Sequence, residues 1–314
     1  MPAEIDPSTE GSGTTGMPDV HAIACMEVWG GSQAIDAAVS VPGNDVHVRS
    51  VPYQGAAAGG DIYYVSNCAA GIITRFFLAD VSGHGQDVAH IASELRALMR
   101  RHINTADQSR FAVALNRAFA ALDLAGRFAT AVLVTYFAPT DHVIVCNAGH
   151  PRPLLYRAAC DRWELLDAST PGILASRQHG MEGVGIANLP LGILDPTEYQ
   201  QLALRLEPDD LVVLYTDALI EATGADGRQL GEAGLLGLAR ALTTAERCGA
   251  AGAALHRHTL EHTGGSELDD DATVIVLHHN GVDPPPVRGI GGRLTTFAHM
   301  LGLGAVDSGP GMES

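Results

Sequence analysis

Four positions in this chain could do chemistry together: Asp61, Asp80, Asp217 and either Asp270 or Asp271. Each opens or closes an apolar run beside a Gly, an Ala or a turn, so each reads as a carboxylate at the end of a strand. Like charges gathered at one edge raise one another's pKa and are best tolerated around a cation. An all-oxygen set with no Cys or His cluster favours Mg²⁺ or Mn²⁺ over zinc, and a pair of such ions can activate water and clamp a phosphoryl oxygen. A single aspartate is more often a turn former or a helix cap, so the chemistry rests on the combination.

The stretch that must position these residues is 76–102, FFLADVSGHGQDVAHIASELRALMRRH. Its first residues form a buried strand that delivers Asp80 to a sheet end. Gly83 and Gly85 flank His84 and let the backbone turn close to whatever Asp80 holds. Asp87 favours a helix start, and Val88, Ile91, Ala92, Leu95, Leu98 and Met99 recur at helical spacing, predicting a helix through Arg101. Glu94, Arg96 and Arg100 are expected on its solvated face.

Residues 1–20 carry Ser, Thr, Gly, Pro and acid with nothing to bury and are expected to be a tail. A strand is expected at 25–28, with Trp29 as core packing, and another at 46–52. Residues 62–66 and 72–78 read as a hairpin around 68–71, which brings Asp61 and Asp80 to one edge. A second helix is expected at 111–124 with Ser109 as its cap, then antiparallel strands at 129–137, 142–146 and 154–157. Residues 168–185 read as a loop or surface insertion. Strands follow at 202–206 and 211–215, joined by a turn at 207–210, the second ending in Thr216 and Asp217. Helix fills 232–262, Asp269, Asp270 and Asp271 precede a strand at 272–277, and 280–314 reads as a loosely attached tail in which 294–303 could form a short helix. Strand runs interrupted by helix pairs imply an α+β layered domain.

With 314 residues and 46% hydrophobic content the chain can bury a sizeable core. Its formal charge of −17 argues against nucleic acid as a partner, which needs clustered cations. No stretch approaches the roughly 20 uninterrupted apolar residues of a membrane helix. Cys25, Cys68, Cys146, Cys160 and Cys248 are scattered without a C-x-x-C pair, as in a reduced cytoplasmic protein, and residues 1–16 lack the features of a signal peptide.

The motifs in order resemble the SpoIIE/RsbU-type bacterial serine/threonine phosphatases, a branch of the metal-dependent PP2C-like superfamily. They are Gly59-Gly60-Asp61-Ile62-Tyr63, then Leu78-Ala79-Asp80-Val81-Ser82-Gly83-His84-Gly85, then Asn147-Ala148-Gly149-His150-Pro151 and Leu191-Gly192-Ile193. Tyr215-Thr216-Asp217-Ala218-Leu219-Ile220-Glu221-Ala222 and Asp270-Asp271-Ala272-Thr273 complete the set. The resemblance covers about residues 46–279 and implies a four-layer α-β-β-α sandwich of two antiparallel sheets, with a phosphatase domain over 21–279.

By the same resemblance Asp80 would bridge two Mn²⁺ or Mg²⁺ ions with help from the Val81 carbonyl. Asp61 would serve one ion, and Asp217 and Asp270 the other. Asp80 and Asp61 would carry catalysis, with water attacking phosphoserine or phosphothreonine on a regulatory protein and no phospho-enzyme formed. No sensor domain is evident at the N-terminus, so control would come from an activating partner or from assembly.

Three departures are visible: Tyr64 where the family usually has a second Asp, Ala218 where it usually has Gly, and Asp209 in place of a common turn Gly. Tyr64 and Ala218 keep open a second reading, a phosphatase-derived module that senses or sequesters a phosphoprotein with weak or no turnover. His84 is a candidate to steer hydrogen bonds or protonate a leaving group, and His150 reads as stabilising a turn.

Overall fold

A strand covered on both faces must be apolar at both parities, and the two central strands show it. Along β4 (Asp61–Cys68) and β5 (Ile73–Val81), Tyr63, Val65, Phe76 and Leu78 face a second sheet, whereas Ile62, Tyr64, Phe77, Ala79 and Val81 lie under helices. The computed structural model describes residues 26–68, 71–83, 86–122, 126–179, 187–284, 297–298 and 300–301. The expected tail at 1–20 and the motif residues His84 and Gly85 lie outside them.

Among the described residues one sheet has seven strands in the order β1 (Met26–Gly31), β4, β5, β6 (Ala129–Phe137), β7 (His142–Ala148), β11 (Tyr199–Arg205) and β10 (Ile173–His179). The other has six: β2 (Ile35–Val41), β3 (Asn44–Val51), β13 (Ala272–His279), β12 (Leu211–Tyr215), β8 (Leu154–Arg157) and β9 (Arg162–Leu165). Every strand pairing in both sheets is antiparallel. Helices α1 (Gln86–His102) and α2 (Gln108–Ala120) cover the first sheet. Helices α3 (Ala218–Glu221), α4 (Gly231–Arg240) and α6 (Ala251–His262) cover the second, with α5 (Thr244–Arg247) between the last two. The result is the expected α-β-β-α sandwich.

Several local expectations change. Residues 173–179, expected within a loop, add a strand that pairs with β11. The strands β11 and β12, consecutive in sequence, belong to different sheets, so the turn between them is a crossing from one sheet to the other. Asp209 in that turn has φ +68°, a left-handed conformation that Asp tolerates better than most residues. The cap of α2 is Asp107, not Ser109: its carboxylate accepts the Ser109 and Arg110 N–H groups, with the Ser109 hydroxyl also donating to it.

Arg100 is exposed and Arg96 half-buried, as a solvated face requires, and both also reach Glu27 on β1 and tie α1 to the sheet. From the expected loose tail, Phe297, Met300 and Leu301 join Cys68, Ile73, Phe137, Ile144 and Ala203 in a small core. Phe297 stacks on Phe137 with ring centroids 6.1 Å apart. Gln201 links the two regions, accepting the Gln108 N–H at 3.0 Å and donating to the Met300 carbonyl at 3.1 Å.

Candidate metal centre

The last layer of the space between the sheets is polar. Strand alternation carries the inward face of β4 and β5 from Tyr63 and Leu78 to Asp61 and Asp80, which are cross-strand partners, and Thr130 on β6 is the next partner of Asp80. From the facing sheet, Thr216 donates to Asp61 Oδ2 at 2.8 Å and accepts the Thr273 N–H at 2.9 Å, while the Thr273 and Ser50 hydroxyls lie 2.8 Å apart. One oxygen of the buried Asp61 is thus anchored across the sandwich.

Asp217 follows β12 at the first turn of α3, and Asp270 sits in the turn before β13. Asp271 has a different task. Its two oxygens accept the Tyr53 N–H at 2.7 Å and the Gly60 N–H at 2.6 Å, so its carboxylate clamps the loop that leads into Asp61. The clamp explains the glycine pair: a Cβ on Gly59 would fall 2.2 Å from Asp271 Oδ2. A Cβ on Gly60 would stand 3.1 Å from the Val81 carbonyl oxygen and 3.6 Å from Asp80 Oδ1, so both close in on this glycine.

Burial, with Asp217, Asp270, Asp271 and Glu221 nearby, pushes the Asp80 carboxyl up to about 8. Burial, Glu221 and Asp270 push Asp217 up to about 6. Asp61 is raised by burial and by Asp80, against the hydrogen bonds from Thr273 and Thr216. The four expected carboxylates therefore share one electrostatic environment, although among the described residues no three such groups close into a finished ion cage. Oxygen donors only, a surplus of clustered acidic groups and a backbone carbonyl fit a hard divalent cation. A cavity of about 400 Å³ beside Asp270 is lined by Glu221, Ala218 and Asp269 among others.

Sequence reasoning missed Thr216 and Glu221. The signal was there, one residue before Asp217 and four after it, one helical turn away. Tyr64 is buried on the helix side of β4, on the opposite face from Asp61, and Arg100 bonds to it.

A sequence model of the family described as Stage II sporulation protein E (SpoIIE) matches residues 73–186 and 184–280, more than half of the chain. The chain belongs to the SpoIIE family. Asp80, Asp217 and Asp270 fall inside the SpoIIE match, with Asp61 just upstream of it. Phosphoserine phosphatase RsbP of Bacillus subtilis (strain 168) is 25% identical over 190 residues, which are 58% of this chain and 41% of RsbP, so the chain spans less than half of that relative.

The structure is similar to the RsbU and RsbW domains of a Mycobacterium tuberculosis protein, with TM-score 0.64 and 22% identity over 86% of this chain and 72% of the other. It is similar to the PP2C phosphatase domain and regulatory fragment of Bacillus subtilis SpoIIE, with TM-score 0.59 and 16% identity over 74% and 62%. RsbX in complex with magnesium gives TM-score 0.54 and 14% identity over 78% and 99%. At such identities these likenesses establish the PP2C-like fold of this SpoIIE-family chain.

Proposed function

We propose that this chain is a Mn²⁺- or Mg²⁺-dependent protein serine/threonine phosphatase acting on a phosphorylated regulatory protein. The observation that carries the reading is Asp80, a half-buried carboxyl that desolvation and the Asp217, Asp270, Asp271 and Glu221 charges push up to about 8 and that a cation would return to its ionised form. Family membership, a relative named as a phosphoserine phosphatase and a fold neighbour solved with magnesium support it.

Asp80 would help to hold both ions. Asp61, oriented by Thr216 and Thr273, would serve one, and Asp217 and Asp270 would hold the second, with the Val81 carbonyl assisting. Asp270 is preferred to Asp271 because both Asp271 oxygens already hold backbone N–H groups. When bound, the ions would supply an acidified water and neutralise the phosphoryl oxygens. The chain's own carboxylates, from both sheets, would orient that water and the phosphoryl group, and the burial of Asp61 would keep bulk solvent off one side.

Tyr64 lies under α1 and away from the carboxylates, which removes one motive for a non-catalytic phosphoprotein-binding module. Control by an activating partner would act most directly on α1, which follows Asp80 and Val81 and is tied to β1 through Glu27. We place the chain in the cytoplasm: Cys146, Cys160 and Cys248 are free thiols, and among the described residues no helix is long and apolar enough to cross a membrane.

The test is phosphate release from a phosphoserine peptide and from an aryl phosphate with Mn²⁺, Mg²⁺ or Zn²⁺. Turnover with Mn²⁺ or Mg²⁺ that chelation abolishes is expected. Full activity after exhaustive chelation, or none with any metal, would overturn the reading.

A further inference from the structure

The turn from Asn147 to Pro151 carries a histidine to which the metal reading gives no task. Asn147 builds the turn, accepting the His150 N–H at 2.8 Å and donating to the His150 carbonyl oxygen at 2.8 Å. Gly149 takes φ +68°, and a Cβ there would fall 2.4 Å from Pro190 Cγ. These contacts suffice to make a turn. They also drive the His150 ring inward, to 6% exposure, with Nδ1 2.9 Å from Thr130 Oγ1.

Thr130 is the cross-strand partner of Asp80, on the same inward face. The Nε2 atom of His150 is buried without a side-chain partner, and the ring's remaining polar contact is a hydrogen bond with the Tyr215 backbone. The Tyr215 backbone, two residues before Asp217, lies beside the ring. Burial holds the imidazole down at about 3, so it stays neutral and acts by shape and hydrogen bonding. His150 therefore stands between β6, whose Thr130 is paired with Asp80, and β12, the strand that delivers Asp217.

We propose that His150 and Thr130 are a positioning pair for the metal centre: His150 fixes the Thr130 hydroxyl in the row that holds Asp61 and Asp80, and so sets the span from Asp80 to Asp217. The inference rests on the metal reading above and goes beyond it, since neither residue is a ligand. Partners that orient ligands from behind typically change metal affinity by about 10–100-fold when removed.

Calorimetric titration with Mn²⁺ alone tests the pair in wild type, Thr130→Val, Thr130→Ser, His150→Ala and the Thr130→Val/His150→Ala double variant, with the melting temperature of each taken in chelator. Thr130→Val should weaken Mn²⁺ binding by roughly 10-fold or more. Thr130→Ser, which keeps the hydroxyl, should stay within about threefold of wild type, and the double variant should lose no more than the worse single variant, as coupled residues do. Wild-type affinity in Thr130→Val, or losses that multiply in the double variant, would overturn the pair even if melting temperatures fall. Should His150→Ala not fold, Thr130→Val against Thr130→Ser decides alone. A wild-type chain that takes up no Mn²⁺ would instead overturn the metal reading, and this inference with it.

Discussion

Asp61 and Asp80 face each other as partners across the β4–β5 pair, and strand alternation sends both side chains into the gap between the sheets. Carboxylates in such a register repel: the fold anchors the buried Asp61 through Thr216, while Asp217 and Asp270 add like charge around the half-buried Asp80. A site of this kind stores unfavourable charge in the metal-free state and releases it on binding a cation.

Removing one of these charges should therefore separate function from stability. Asp80→Asn and Asp217→Asn are each expected to weaken Mn²⁺ binding by about 100-fold or more and to remove most turnover. Their metal-free melting temperatures should equal or exceed that of wild type. Near-wild-type rates in either variant would exclude the assigned site.

Metal-free stability should depend on pH with a defined sign. Asp217 and Asp80 release their protons near about 6 and about 8 in the folded chain, against a reference value of 3.8. The folded state thus holds more protons than the unfolded state between these values. The stabilising contribution is complete below 3.8 and is lost as pH rises through about 6 and then about 8. Thermal melts in chelator should fall across that window, Asp80→Asn should flatten the upper part, and Mn²⁺ should restore stability at pH 8. A profile identical in wild type and Asp80→Asn would count against the shift.

Asp270 and Asp271 are neighbours with opposite tasks. Asp271→Ala leaves the Tyr53 and Gly60 N–H groups without their acceptor and should cost about 2–4 kcal/mol of stability by denaturant melts. Asp270→Ala should leave stability within about 1 kcal/mol and lower metal affinity instead. Equal stability losses in the two variants would reverse this division.

The C-terminal contacts predict a purely structural effect. Phe297→Ala and Met300→Ala should each destabilise by roughly 2 kcal/mol, through lost contacts with Phe137, Ile144 and Ala203, without changing Mn²⁺ affinity. Unchanged denaturation midpoints in both would show that the segment contributes nothing in solution.

The sequence alone determined what is local. Apolar runs ending in Asp80 and Asp217, a glycine pair before Asp61 and helical spacing after Asp87 all follow from neighbours a few residues away, and their order identified the fold. What remained depended on partners distant in the chain. Which of Asp270 and Asp271 is spoken for is decided by the Tyr53 and Gly60 N–H groups, 218 and 211 residues away. The tie from Arg96 to Glu27 did not show because Glu27 lies 69 residues upstream, and residues 173–179 became a strand only because β11 offered an edge. Tyr64 looked adjacent to the chemistry because it follows Asp61 by three residues, yet a strand alternates its faces, and only the placement of α1 over one face and a second sheet over the other showed that Tyr64 belongs to the helix side. Side-chain parity is written in the sequence, but what each face meets is set by long-range packing.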